Sequence, residues 1–183
     1  MQKSMLGYVI KDLSAVSRYL PCGLAAGVVA VLVLNVVNRA RIRRGKEPIS
    51  ILPGSVLCVY FVIMLFITFL SRENGSRNGV DLELFSTWGI NQRNNAFVIE
   101  NVLLFVPYGF ICAWALQGAR GLIANALLGL ATSLGIETMQ LVTQRGYFQI
   151  DDVLTNTIGM VAGYLIFRVL SLLGKGLSVL FKS

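Results

Sequence analysis

The chain has 183 residues, of which 55% are apolar and only 14% charged, where a soluble domain carries roughly 25% charge. This balance excludes a water-soluble domain and points to one polytopic membrane unit. The formal charge is +7, and histidine is absent, which removes Ser-His-Asp and Cys-His nucleophiles, histidine-ligated zinc and an imidazole proton shuttle.

Residues 1–18 intersperse Lys3, Lys11, Asp12 and Arg18 with Leu6, Val9, Ile10, Leu13 and Val16, a pattern that suits an amphipathic helix at the membrane interface. No signal-peptide core is visible, so the first span is expected to be uncleaved. Five apolar runs follow, near 19–38, 51–70, 98–116, 122–142 and 153–173. Each is long enough to cross a hydrocarbon layer of about 30 Å. Backbone polar groups cannot stay unpaired in lipid, so these runs are expected as helices. The fold class is therefore all-α: a polytopic membrane bundle of about five transmembrane helices over 19–173, with 174–183 as a cytoplasmic tail.

The connection between the first two runs, Arg39-Ala40-Arg41-Ile42-Arg43-Arg44-Gly45-Lys46-Glu47, carries five basic residues and is placed in the cytoplasm. The N-terminus then lies outside and the C-terminus inside. Nine basic residues face Glu47 alone on the inner side, and seven face eight acids on the outer side. This distribution favours the lipid bilayer as partner of the basic charge over nucleic acid. The outer connection, about 71–97, holds Val80, Leu82, Leu84, Phe85, Trp88 and Ile90 among polar residues and suits a short element on the bilayer surface. Asn74-Gly75-Ser76 reads as an Asn-Gly turn.

Gly23…Gly27 and Gly159…Gly163 are GxxxG spacings that let helices approach closely, within the bundle or in a homodimer. Pro107 removes one backbone donor from the third run. Cys22, Cys58 and Cys112 stand apart inside apolar runs and read as small buried hydrophobes. No spacing calls for a metal or a cofactor.

Ionisable groups in membrane segments are costly unless they are paired or reach water. They cluster at three helix ends that share the outer side: Glu100 and Asn101 open the third run, Glu137 and Gln140 lie late in the fourth, and Asp151, Asp152 and Asn156 open the fifth. Arg145, between the last two runs, is the nearest cation. Helix capping accounts for Glu100, Asp151 and Asp152. It does not account for Glu137, which sits near the end of its helix where the dipole disfavours an anion. These eight residues are expected to gather in one polar cleft that binds a ligand.

Three blocks carry a resemblance. Glu100-Asn101-Val102-Leu103-Leu104-Phe105-Val106-Pro107-Tyr108-Gly109-Phe110 resembles the first signature of VanZ-like membrane proteins. Ser133 to Gln140 with Arg145, and Asp151 to Gly159 with Gly163, resemble the second and third. The resemblance implies a multi-pass protein of the bacterial cell membrane that lowers susceptibility to teicoplanin-type glycopeptide and lipoglycopeptide antibiotics. Its ligand would be a lipoglycopeptide or a lipid-linked cell-wall precursor. The alternative is an intramembrane enzyme that uses Glu137 or Asp152 as a base on such a precursor.

Overall fold

The computed structural model describes residues 4–70, 72–75 and 79–180, the last six by backbone alone. Six helices make up the fold: α1 (Met5–Ala15), α2 (Leu20–Arg43), α3 (Ile51–Leu65), α4 (Gln92–Ala115), α5 (Leu122–Val142) and α6 (Ile150–Leu180). Five stretches are long and apolar enough to cross a membrane, α1 being joined to α2 in the first of them. The chain is an all-α bundle, as its hydropathy requires. α6 continues as helix to Leu180, through most of the segment expected as a tail, and residues 181–183 lie outside the described residues.

Local chemistry sets the helix ends. Ser4 caps α1, its hydroxyl accepting the Gly7 N–H at 3.2 Å. A 3-10 turn over Val16–Tyr19 joins α1 to α2, with Pro21 in the first turn of α2 where its missing N–H costs nothing. α2 ends on Gly45 at φ 65°, with Lys46 N–H donating to the Arg41 carbonyl and Gly45 N–H to that of Ile42, the paired closure that a glycine beyond the helix end permits. Buried Asn38 then donates to the Ile49 carbonyl at 2.8 Å and accepts the Ile49 N–H at 2.7 Å, which fixes the basic connection against α3. Asn91 caps α4 by accepting the N–H groups of Arg93 and Asn94, and α4 runs on through Pro107.

The bundle is built around the contact of α4 with α6. A Cβ added at Gly109 would strike the Met160 backbone, and one at Gly159 or Gly163 would strike the Val102 or Val106 carbonyl. Both GxxxG faces are taken up inside the chain: Gly159 and Gly163 admit α4, while Gly23 and Gly27 admit Ile63 and Val59 of α3. The core around this seam comprises Met64, Phe105, Tyr108, Cys112, Ala119, Ile136 and Met160. Of the cysteines only Cys112 is buried. Cys22 and Cys58 are exposed on outer helix faces, where the apolar surroundings that suggested burial belong to the membrane.

The long connection is tied down at two places. β1 (Val80–Asp81) pairs in parallel with β2 (Phe148–Gln149), bringing the connection beside the α5–α6 turn. Beyond β1, the side chains of Leu82, Leu84, Phe85, Trp88 and Ile90 are all exposed. Asn74 and Gly75 form a turn, with Gly75 at φ 73°, and Ser76 lies outside the described residues.

The α4–α6 seam yields a direct test. Gly163→Val should lower stability by about 3 kcal/mol, because its new methyls meet backbone atoms that cannot rotate away. Gly135→Ala, where an added Cβ meets nothing, should stay within about 0.5 kcal/mol. Thermal unfolding in detergent measures both, and equal melting of the two variants would contradict the close approach.

Candidate functional site

The candidate site lies at the end of the bundle where α3 stops. Its last turn, Phe66–Leu70, is π-helical, and such a turn leaves carbonyls without their usual helical donors. The Thr68 hydroxyl donates to the Met64 carbonyl at 2.9 Å, and the Gln140 amide donates to the Thr68 carbonyl at 2.9 Å. Arg145 Nη1 reaches the Phe69 carbonyl at 3.5 Å, with its guanidinium carbon 4.9 Å from the centre of the Phe69 ring. A single widened turn therefore draws in two polar side chains from α5 and the loop after it.

The remaining polar residues of α5 and α6 divide between scaffolding and site. Glu137 is buried, and its Oε2 accepts the Gln149 N–H of β2 at 3.0 Å. Asp151 is buried and turned toward the long connection, where Oδ1 accepts the Phe85 N–H at 2.6 Å and Oδ2 the Thr87 N–H at 2.9 Å. Phe85 has φ 65°, a left-handed conformation that bulky residues rarely adopt, and the Asp151 carboxylate holds the chain in it. Asn156 donates to the Ser133 hydroxyl at 2.8 Å, deeper between α5 and α6. Asp152 is half-buried, close to Glu137 and Asn101 and within the field of Arg72. The Arg72 guanidinium and the Gln140 amide oxygen both press on Gly146, where a Cβ would meet them at 2.8 and 2.6 Å.

A third group forms where α1 rests on α4. Arg93 pairs with Asp12 at 2.6 Å and stands 3.7 Å from Glu100, while its guanidinium lies over the rings of Phe97 and Tyr8. The Met5 N–H donates to the Gln92 side chain at 3.2 Å. α1 thereby walls a cavity of about 630 Å³ between itself, α3 and α4. Asp12, Thr68, Arg72, Glu73, Arg93, Glu100, Asn101 and Arg145 form its polar part. Tyr19, Tyr60, Ile63, Ile67, Leu104 and Pro107 form its apolar part. From Arg93 to Pro107 the cavity follows α4 for about 21 Å at the helical rise.

The eight residues expected in one cleft therefore do not share one. Glu100, Asn101 and Arg145 line the cavity. Asp152 stands behind Asn101, and Glu137 and Gln140 are buried on backbone groups of the irregular segments. Asp151 faces the other way and Asn156 packs against α5, so these two take no part in the cavity wall. For Glu137, Gln140 and Asp151 the cause is shared: backbone N–H and C=O groups left by the π turn, the strand pair and the loop compete for polar side chains and take these three. Conversely, sequence reasoning missed Asp12 and Arg93 as cavity residues, and it left Arg72 and Glu73, at the outer end of the second run, open between the cluster and the membrane interface. The amphipathic pattern of 1–18 was the available signal for Asp12, but nothing local shows which helix α1 covers. Among the described residues, no three acidic or cysteine side chains converge as metal ligands.

The scaffolding role of Asp151 is open to measurement. Asp151→Ala removes two charge-assisted hydrogen bonds and should cost about 2–4 kcal/mol, with faster amide exchange and protease cleavage confined first to residues 82–90. Asp151→Asn keeps one acceptor and should fall between. An exchange pattern for 82–90 identical to that of the native chain would refute the assignment.

No curated protein and no solved structure matches the chain. The family model described as VanZ/LLP1 matches residues 56–171, more than half of the chain, from α3 into α6. The match takes in the π turn, both strands and the polar residues of the candidate site except those of α1. With five helices of membrane-spanning length and composition around this site, the chain is a membrane protein that belongs to the VanZ/LLP1 family.

Proposed function

We propose that this protein lowers susceptibility to teicoplanin-type glycopeptide and lipoglycopeptide antibiotics by binding or shielding a membrane-anchored ligand in the cavity between α1, α3 and α4. It acts as a multi-pass protein of the bacterial cell membrane, N-terminus outside and C-terminus inside, so that the cavity end of the bundle faces the exterior. The ligand is a lipoglycopeptide or a lipid-linked cell-wall precursor.

The observation that carries this reading is Arg145. Its Nε is buried without a hydrogen-bond partner, its one hydrogen bond to a carbonyl is long, and no ion pair joins it to a carboxylate among the described residues. A guanidinium held on an aromatic ring, at the edge of a cavity with a long apolar wall, suits the phosphate or carboxylate of an amphiphile whose tail lies against α3 and α4. The volume lies within the roughly 300–1,000 Å³ usual for small-ligand pockets. Asn101 supplies an amide beside the same space.

A second reading rests on the proximity of the Glu137 and Asp152 carboxylates, with Arg72 and Asn101 near them. A buried carboxyl beside a half-buried one, next to a ligand cavity, is an arrangement that can serve proton transfer, here on a lipid-linked precursor.

One experiment addresses both. In a susceptible bacterium expressing equal membrane levels of each variant, Arg145→Ala should lose about tenfold or more in teicoplanin protection and in surface binding of a labelled lipoglycopeptide, and Arg145→Lys should keep part of each. Full protection by Arg145→Ala at equal levels would overturn the binding reading. Mass spectrometry of the lipid-linked precursors should give the same composition with and without the protein; a changed composition that Asp152→Asn reverses would favour the enzymatic reading instead.

A further inference from the structure

The end of the bundle opposite the cavity carries its own cluster, which the reading above does not use. Arg39, Arg43 and Arg44, in the last turn of α2 and just beyond it, border a shallow groove of about 390 Å³ together with Val36 and Ala40. All three arginines are exposed, and among the described residues none of their guanidinium groups makes a hydrogen bond or an ion pair. Arg41, between them in sequence, is different: its Nε donates to the Glu47 carbonyl at 2.8 Å, so it belongs to the scaffold of the turn. The Gly45 closure and the Asn38 clamp on Ile49 fix that turn, which places the three free guanidinium groups without use of their own hydrogen-bonding capacity.

The groove continues into an apolar track. Arg43, Arg39, Val36, Leu32 and Val29 follow one another at spacings of three and four residues and share one face of α2. Val36, Leu32 and Val29 are more than half exposed, because the opposite face of α2 holds the Gly23 and Gly27 contacts with α3. Cations at one end and about 10 Å of exposed aliphatic surface below them match an amphiphile lying along the helix, head at the arginines and chain on the valines and leucine.

We propose that this groove is a binding site for an anionic phospholipid, the guanidinium groups of Arg39, Arg43 and Arg44 taking the headgroup phosphate and the Leu32–Val36 face taking an acyl chain. Three cations with no carboxylate paired to them favour a headgroup of net negative charge over a zwitterionic one, whose ammonium would meet uncompensated positive charge. The short helix-end dipole also favours cations here, but it acts on Arg41 equally and does not explain why three side chains frame one hollow.

The test uses the full-length protein in detergent, with phosphatidylglycerol, phosphatidylcholine and inorganic phosphate as separate probes and native mass spectrometry as readout. The native chain should retain phosphatidylglycerol at least about fivefold more tightly than phosphatidylcholine. The triple variant R39Q/R43Q/R44Q should lose that preference, each single variant about fivefold of the affinity. Arg168→Gln, an exposed arginine on α6 outside the groove, should leave binding unchanged. Equal retention of the two lipids by the native chain, survival of the preference in the triple variant, or an equal loss in Arg168→Gln would each overturn the site. Displacement of the lipid by millimolar inorganic phosphate alone would also do so, by assigning the groove to a free anion. Unchanged thermal unfolding of the triple variant confirms that the comparison is between folded proteins.

Discussion

A backbone that leaves helical geometry near a bilayer must find partners for its N–H and C=O groups within the protein, and this requirement organises the cavity end of the molecule. Three irregular segments meet there: the π turn at Phe66–Leu70, the two-residue strand pair and the loop through Phe85. Each is answered by a side chain distant in sequence. Gln140 and Arg145 take the carbonyls of Thr68 and Phe69, Glu137 takes the Gln149 N–H, and Asp151 takes those of Phe85 and Thr87. The position of Glu137 near the end of its helix becomes intelligible on this basis, since its carboxyl oxygen accepts a backbone N–H that would otherwise stay unpaired.

The same requirement explains which polar groups remain to face the cavity. With Glu137, Gln140, Asp151 and Asn156 engaged away from it, the cavity takes its polar lining from the start of α4, from Arg72 and Glu73 after the π turn, and from Arg145. α1 completes the wall through Asp12, whose pairing with Arg93 fastens a helix that otherwise presents exposed Leu6, Ile10 and Leu13. A short amphipathic helix, marginal alone, is thus held by one partly exposed ion pair, the contact of Arg93 with the Tyr8 ring and its own apolar face.

The bundle was legible in the sequence because a membrane span is a local signal: twenty apolar residues and few charges are enough, and all five runs lie in helices of the structure. The polar positions were legible too, since charge in such runs stands out. Their roles were not. Whether Asp151 faces a ligand or a loop depends on residues 64 and 66 positions away, and Asp12 meets Arg93 across 81. No periodicity encodes such pairings. The π turn was equally hidden, because Phe66-Ile67-Thr68-Phe69-Leu70 reads as ordinary helix and only the fold supplies partners for its freed carbonyls. The glycine spacings were readable as close packing, yet which helix each admitted became visible only with the α4–α6 and α2–α3 contacts.

Counted along the sequence, the cavity end holds more acids than bases, and Arg145 would be expected to be neutralised by one of them. The structure distributes those acids otherwise. Glu137 and Asp151 are turned to backbone donors, Asp12 to Arg93, and Asp81 to the Glu83 N–H and the Ser86 hydroxyl. Asp152 has Asn101 and the field of Arg72. The bulk charge of the region is therefore a poor guide to the potential inside the cavity, which depends on which groups keep unused hydrogen-bonding capacity after the backbone has been satisfied. By that measure the unused capacity lies on Arg145, a cation resting on Phe69 with a buried donor left over, and on Glu100, whose buried Oε1 likewise lacks a hydrogen bond, so the cavity presents one donor and one acceptor that the backbone has not claimed.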